Sequence, residues 1–185
     1  WRIDMSKIDL DNKVIQQRDY LKYSKENTES GWFIGLSSFG PEHYSLKNFT
    51  HAYVSGATGY GKSSFFKQLL AQTLNYHDEI TNYIVDPKRV DYKHLIKHPN
   101  VGMYADTVDK WRELFAYILI ELKTREHYFA KSFATPPTKL SEYESERDNH
   151  KRTDIPTFKK QFIWIDEAHE VLQMNTFQNE TETLR

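Results

Sequence analysis

Eight consecutive residues, Gly56-Ala57-Thr58-Gly59-Tyr60-Gly61-Lys62-Ser63, match the spacing G-x-x-x-x-G-K-[ST]. The glycines permit backbone angles that turn successive N–H groups into a tight loop. Those groups, with the start of the following helix, form a cradle for a phosphate. A lysine at the seventh position reaches the β- and γ-phosphates of a nucleotide, and the next hydroxyl reaches Mg²⁺. The candidate nucleotide-binding residues are therefore Gly56, Ala57, Thr58, Gly59, Tyr60, Gly61, Lys62, Ser63 and Ser64. Lys62 also serves the reaction, and Ser63 holds the metal.

A second chemical signal lies at Phe162-Ile163-Trp164-Ile165 followed by Asp166-Glu167. An apolar run of this length reads as a buried strand of a parallel sheet. Ligands of such sheets bind beyond the carboxyl ends of the strands. Asp166 is then placed to hold Mg²⁺, and Glu167 to orient and polarise an attacking water. The pair of motifs describes hydrolysis of a nucleotide that requires Mg²⁺. The letters Asp166-Glu167-Ala168-His169 also spell the DEAH box of some helicases. His169 reads either as a surface helix residue or as a group sensing the γ-phosphate.

The elements that must position these residues follow from periodicity. Ala52 to Ser55 reads as a short buried strand leading into the glycine-rich loop. Phe65, Phe66, Leu69, Leu70 and Leu74 give a helix over about Lys62 to Asn75. Tyr83-Ile84-Val85 is a strand ending at Asp86-Pro87, and Val101 to Tyr104 is another. A long helix starts at Asp106 or Thr107 and runs to about Phe129, with Val108, Trp111, Leu114, Phe115, Ile118, Leu119 and Leu122 on one face. A short helix follows Glu167 through Leu172. Upstream, Trp32 to Leu36 is strand-like and closes in a turn at Phe39-Gly40-Pro41. Residues 1–30 read as a polar segment, with a poorly patterned helix over Asp4 to Tyr23 and a linker at Ser24 to Ser30. Residues 31–185 are assigned to one partial ATPase domain. Within it, 131–160 reads as a charged surface excursion, with one short helix near Leu140 to Arg147. Alternating strands and helices give an α/β fold with a mainly parallel sheet.

Composition narrows the function classes. The 185 residues carry 25 basic and 26 acidic side chains, a net charge of −1, so nucleic-acid binding requires a local basic patch. There is no cysteine, which excludes disulfides, thiolate metal sites and cysteine nucleophiles. The aromatic content of 15% is too high for disorder. The longest apolar stretch, Phe115 to Ile120, is far short of a bilayer span. No signal peptide is visible, so the cytoplasm is the expected compartment. The first residue is Trp1, not Met, and a piece of a longer protein is expected.

Four stretches together resemble the FtsK/SpoIIIE branch of the FtsK–HerA motor ATPases. They are His51 through Ser63, Tyr83-Ile84-Val85-Asp86-Pro87-Lys88, Tyr104 through Arg125, and Phe162 through Glu167. The resemblance spans about Trp32 to Leu172. It implies a RecA-like P-loop domain that works as a ring, a hexamer, and pumps double-stranded DNA. It further implies a parent anchored to the inner face of the cell membrane, or part of a conjugation or secretion machinery. Asp86 and Lys88 would lie near the nucleotide or a neighbouring subunit; a plain strand-ending turn is the other reading. Two departures stand out. The family's sheet continues after the acidic pair with two more strands, one between the P-loop strand and the acidic strand, and Asn175 to Arg185 offers no strand. Tyr60 also replaces a small residue inside the loop.

Three basic clusters could meet DNA: Lys88, Arg89, Lys93, His94, Lys97 and His98; Lys123, Arg125, His127 and Lys131; and Lys151, Arg152, Lys159 and Lys160. Helix-end cations also complement the helix dipole without any partner. Arg89 and Arg125 are the candidates for an arginine acting on a neighbouring subunit's nucleotide. Four functions compete: a DNA translocase, including a conjugation coupling protein; a type VII secretion-type ATPase moving protein; a DEAH-type helicase; and a non-motor ATP-binding module.

Overall fold

Trp32–Ser37 (β1) folds back on Gly40–Tyr44 (β2) as an antiparallel hairpin, with a register shift between Phe33 and Gly35. The second strand was not expected, because Gly40-Pro41 reads as a turn. Pro41 is tolerated since β2 pairs on one side only among the described residues. The computed structural model of the chain describes residues 22–23, 31–46, 49–57 and 59–173. The expected linker at Ser24 to Ser30 and the strandless tail Asn175 to Arg185 lie outside these. So does the helix over Asp4 to Tyr23, apart from Lys22 and Tyr23. The chain divides into two units, Trp1–Asp78 and Glu79–Arg185.

In the first unit the hairpin is tied to helix α1, Lys62–Tyr76. Gln72 is buried and copies a strand partner: Phe33 N–H donates to its Oε1 (2.8 Å), and its Nε2 donates to Phe33 O (3.0 Å). Trp32 Nε1 donates to Thr73 Oγ1 at 2.7 Å. Two buried polar side chains on an otherwise apolar stripe are thus satisfied. Leu69, Leu70 and Leu74 supply the apolar burial that the helical spacing predicts.

The strand expected at Ala52 to Ser55 does not form. These residues have no strand pairing, and Tyr53 is 84% exposed. A strand exists only with a hydrogen-bonded neighbour. The resemblance puts that neighbour after the acidic pair, and no described strand takes the position.

The second unit is built on a three-stranded parallel sheet in the order β4-β3-β5, with β3 at Ile80–Val85, β4 at Val101–Ala105 and β5 at Lys160–Ile165. Helix α2, Val108–Lys131, follows β4. Thr107 caps it by accepting from Lys110 N–H, with Asp109 in the first turn and Lys131 in the last, both matched to the helix dipole. Trp111, Leu114 and Ile118 pack with Tyr83, Val85, Ala105 and Val171 as the core. The seven-residue apolar face is only partly buried. Leu119 and Leu122 are 38% and 47% exposed, because three short strands support only the first half of so long a helix. Ile163, expected to be buried, is 41% exposed on the same face.

The distal half of α2 finds different support. Residues 132–160 carry helix α3, Leu140–Asn149, near the expected place. Its Tyr143 is fully buried, stacks on Phe129 at 4.8 Å, lies 5.4 Å from Phe158, and donates from Oη to Pro156 O. The charged excursion therefore carries a small aromatic core of its own. Helix α4, Ala168–Gln173, follows the acidic pair.

Candidate functional site

The phosphate cradle of the first unit has the backbone that its glycines allow. Gly59 (φ 86°) and Gly61 (φ 82°) are both left-handed, and Gly61 is the N-cap of α1. Tyr60 is not in that region, so its side chain costs the loop nothing in backbone strain. Tyr60 N–H donates to Ala57 O at 3.3 Å, and Phe65 N–H opens the helix on Gly61 O at 2.9 Å. No side chain caps α1, and its first turn holds no acidic residue. The first-turn N–H groups of Lys62, Ser63 and Ser64 have no intrahelical acceptor by geometry, and the helix dipole favours an anion in front of them. Lys62 and Ser63 are half-buried, whereas Gly56, Ala57, Gly59, Tyr60, Gly61 and Ser64 are exposed. Thr58 lies outside the described residues.

The second unit gathers its chemistry where β3 and β5 end. Val85 pairs with Ile165, so Asp86 and Asp166 leave the sheet side by side at its carboxyl edge. Asp166 N–H still donates to Val85 O, at 3.1 Å. Asp86 is fully buried, and its partners are those of a structural turn. It accepts from Tyr104 Oη at 2.7 Å and from Arg89 N–H at 3.0 Å, and its own N–H donates to Ala105 O. Burial, then the bond to Asp86, raises the Tyr104 phenol above its ordinary value, so it stays a donor. Arg89 takes a positive φ (62°) to close this turn, and its Nε donates to Asp106 O.

The turn delivers Lys88 to the acidic pair. Lys88 Nζ bonds Glu167 Oε1, and His169 Nδ1 lies 3.3 Å from Glu167 Oε2. Glu167 itself has φ 49°, an uncommon conformation for a side chain of this size. Two backbone bonds hold it there: its N–H donates to Asp166 Oδ1, and Glu170 N–H donates to its carbonyl.

Asp166 accepts from Tyr92 Oη at 3.3 Å. Burial raises its carboxyl above the ordinary aspartate value of 3.8, against the lowering effect of the Glu167 N–H, and the Glu167 charge raises it further. A raised carboxylate is a stability penalty that is complete above the raised value and vanishes below 3.8. Asp166→Asn is therefore expected to raise the thermal midpoint at pH 7 and to lose that advantage near pH 3.5, as calorimetry at both pH values would read. A buried carboxylate that gains from neutralisation also suits a divalent cation. Among the described residues no cluster of three or more His, Cys, Asp or Glu is poised for a metal.

The arginines and lysines separate into different roles. Arg125 is occupied internally: it bonds Glu121 and Lys159 O, at the opposite end of β5 from Asp166, and lies over the Phe158 ring. That role argues against the arginine-donor candidacy given to it from sequence. Arg152 is held by Asp154 and Ser132 O. Lys93, His94 and Lys97 stay exposed on the turn after Asp86. Sequence reasoning missed Tyr92 and Tyr104 as carboxylate partners. The signal was available only as two tyrosines in an acidic, aromatic-rich stretch, with no spacing rule to pair them.

The family model of FtsK/SpoIIIE proteins matches residues 23–180. No curated protein matches the chain. Among solved structures, the pCW3 conjugation coupling protein TcpA, in its monomer form with ATPγS, is similar with a TM-score of 0.60 and 23% sequence identity. The match covers 80% of this chain and 38% of that one, so the chain spans well under half of that protein's length. The likeness shows a shared α/β P-loop fold.

Proposed function

The chain belongs to the FtsK/SpoIIIE family, and on that premise we propose that it is part of the ATP-hydrolysing motor domain of a double-stranded DNA translocase, of the conjugation coupling type. The observation that carries this reading is the family match over residues 23–180, which takes in the phosphate cradle, the Asp86-Pro87-Lys88 turn and the Asp166-Glu167 strand end. The neighbour's bound ATPγS supports a nucleotide as the small-molecule ligand.

Within that reading the backbone of Gly56 to Ser64 holds the phosphates and Lys62 neutralises them. Ser63 and Asp166 are the residues that would hold Mg²⁺, which would supply charge neutralisation at the phosphate oxygens. Glu167 accepts a proton from the attacking water as its oxygen bonds in line to the γ-phosphorus, the bond from the γ-phosphorus to the β,γ-bridging oxygen breaks, and ADP and phosphate leave. Self-association into a hexameric ring would supply the arginine that the described residues do not assign. Arg89 remains a candidate for that role, although its Nε is engaged by Asp106 O. The exposed cations Lys93 and Lys97 are the best-placed contacts for a phosphate backbone. Among the described residues no helix is long and apolar enough to cross a membrane. The proposed setting is the cytoplasmic side of a membrane-anchored parent.

Family membership leaves the helicase reading without support. Protein cargo is the competing outcome, and ATP turnover by the parent protein with and without long double-stranded DNA separates the two. DNA stimulation that fades between 50 and 200 mM salt, by roughly 10³-fold in affinity if six or more phosphates are contacted, supports the DNA motor. Unstimulated turnover that responds to a substrate polypeptide would replace it.

A further inference from the structure

We propose that Lys88 is a positioning residue that holds Glu167 in a parked orientation, and that ATP turnover requires this ion pair to open. The inference rests on the ATPase reading, in which Glu167 polarises the attacking water.

Three observations carry it. The first is the contact itself. The Lys88 ammonium sits on Oε1 of Glu167, while His169 stands 3.3 Å from Oε2. An oxygen bound to an ammonium is a weaker base than one facing water, and its direction is set by the lysine. Both oxygens of the residue meant to activate water are therefore engaged by cation-capable side chains.

The second is how Lys88 is placed. Asp86, two residues before the lysine, is fully buried and spends its carboxylate on Tyr104 Oη and Arg89 N–H. Pro87 fixes the backbone between Asp86 and Lys88. A buried turn thus carries one exposed cation to one carboxylate. It also gives the Asp-Pro-Lys sequence a purpose that a bare strand-ending turn would not need, since a turn closed by Asp86 makes no demand on the residue two positions later.

The third is the accessibility of the two partners. The Glu167 side chain is 14% exposed, whereas that of Lys88 is 49% exposed. The carboxylate is confined and the cation is free to leave. A pair so placed is weak enough to open in each cycle and strong enough to bias the resting state.

The test is basal ATP turnover by the parent protein carrying Lys88→Met, Lys88→Arg, Glu167→Gln, or Lys88→Met with Glu167→Gln. Lys88 is exposed, so neither replacement disturbs the core. Lys88→Met is expected to raise kcat about three- to fivefold, the factor a partly exposed ion pair supports, with KM unchanged. Lys88→Arg should restore the parental rate, because the cation is restored. The double variant should be as inactive as Glu167→Gln, which locates the gain in Glu167. A kcat that falls or stays level in Lys88→Met, while Glu167→Gln is inactive, overturns the parking of Glu167 and leaves the ATPase reading standing. Parental turnover by Glu167→Gln overturns that reading and the inference with it.

Discussion

Lys62→Ala should weaken ATP binding at least about 100-fold, near 2.7 kcal/mol, as read by calorimetry on the parent protein. The lysine is the cation that the first turn of α1 contributes, and charge-assisted bonds to phosphate are worth roughly 1.5–3 kcal/mol each. The rest of the cradle is backbone, which the substitution leaves in place. Alanine is also the best helix former, and no side chain caps this helix, so the fold of α1 has nothing to lose. A fall in affinity therefore reports on the phosphate contact and not on unfolding. Binding unchanged by the substitution would remove the Gly56 to Ser64 segment from the nucleotide site.

Glu167→Gln should bind ATP within about threefold of the parent yet lower turnover by roughly 10²–10⁴-fold, the range that a positioned general base supplies. The amide keeps the size of the side chain and its backbone bonds to Asp166 Oδ1 and Glu170 N–H. It loses the charge that draws a proton from water. In free energy the loss is about 3–5 kcal/mol at the transition state and close to zero in the ground state. A quench-flow measurement at saturating ATP separates the two. Hydrolysis within threefold of the parental rate would take Glu167 out of the reaction.

What the sequence could and could not reveal follows from range. Signals carried by a few adjacent residues were legible. Local periodicity and caps showed the last three residues of the strand Ile80–Val85, the helix Lys62–Tyr76 to within a residue, and the long helix capped by Thr107. Asp166 and Glu167 emerge from the end of a strand, as an apolar run before two acids requires. Signals that depend on a distant partner were not legible. Ala52 to Ser55 has strand composition but no neighbour to pair with among the described residues. Gly40-Pro41 looked like the end of an element and is the start of one, because an edge strand tolerates a proline that a central one would reject. The Glu167–Lys88 pair spans 79 residues, and only the parallel register of β3 and β5 brings it together. Asp86 was placed near the chemistry with two readings open. Its burial, and the three groups that bond it, show that it shapes the turn and leaves the lysine beside it to meet the acidic pair.

If ATP hydrolysis drives movement along double-stranded DNA, as proposed, triplex displacement should register that movement. The parent protein is given a linear duplex carrying a labelled third strand far from the point of loading, with ATP and Mg²⁺. The account predicts release of the third strand that requires ATP, is delayed in proportion to the distance travelled, and is absent with Lys62→Ala or Glu167→Gln. ATP hydrolysis at the full rate with no displacement at any distance would contradict it.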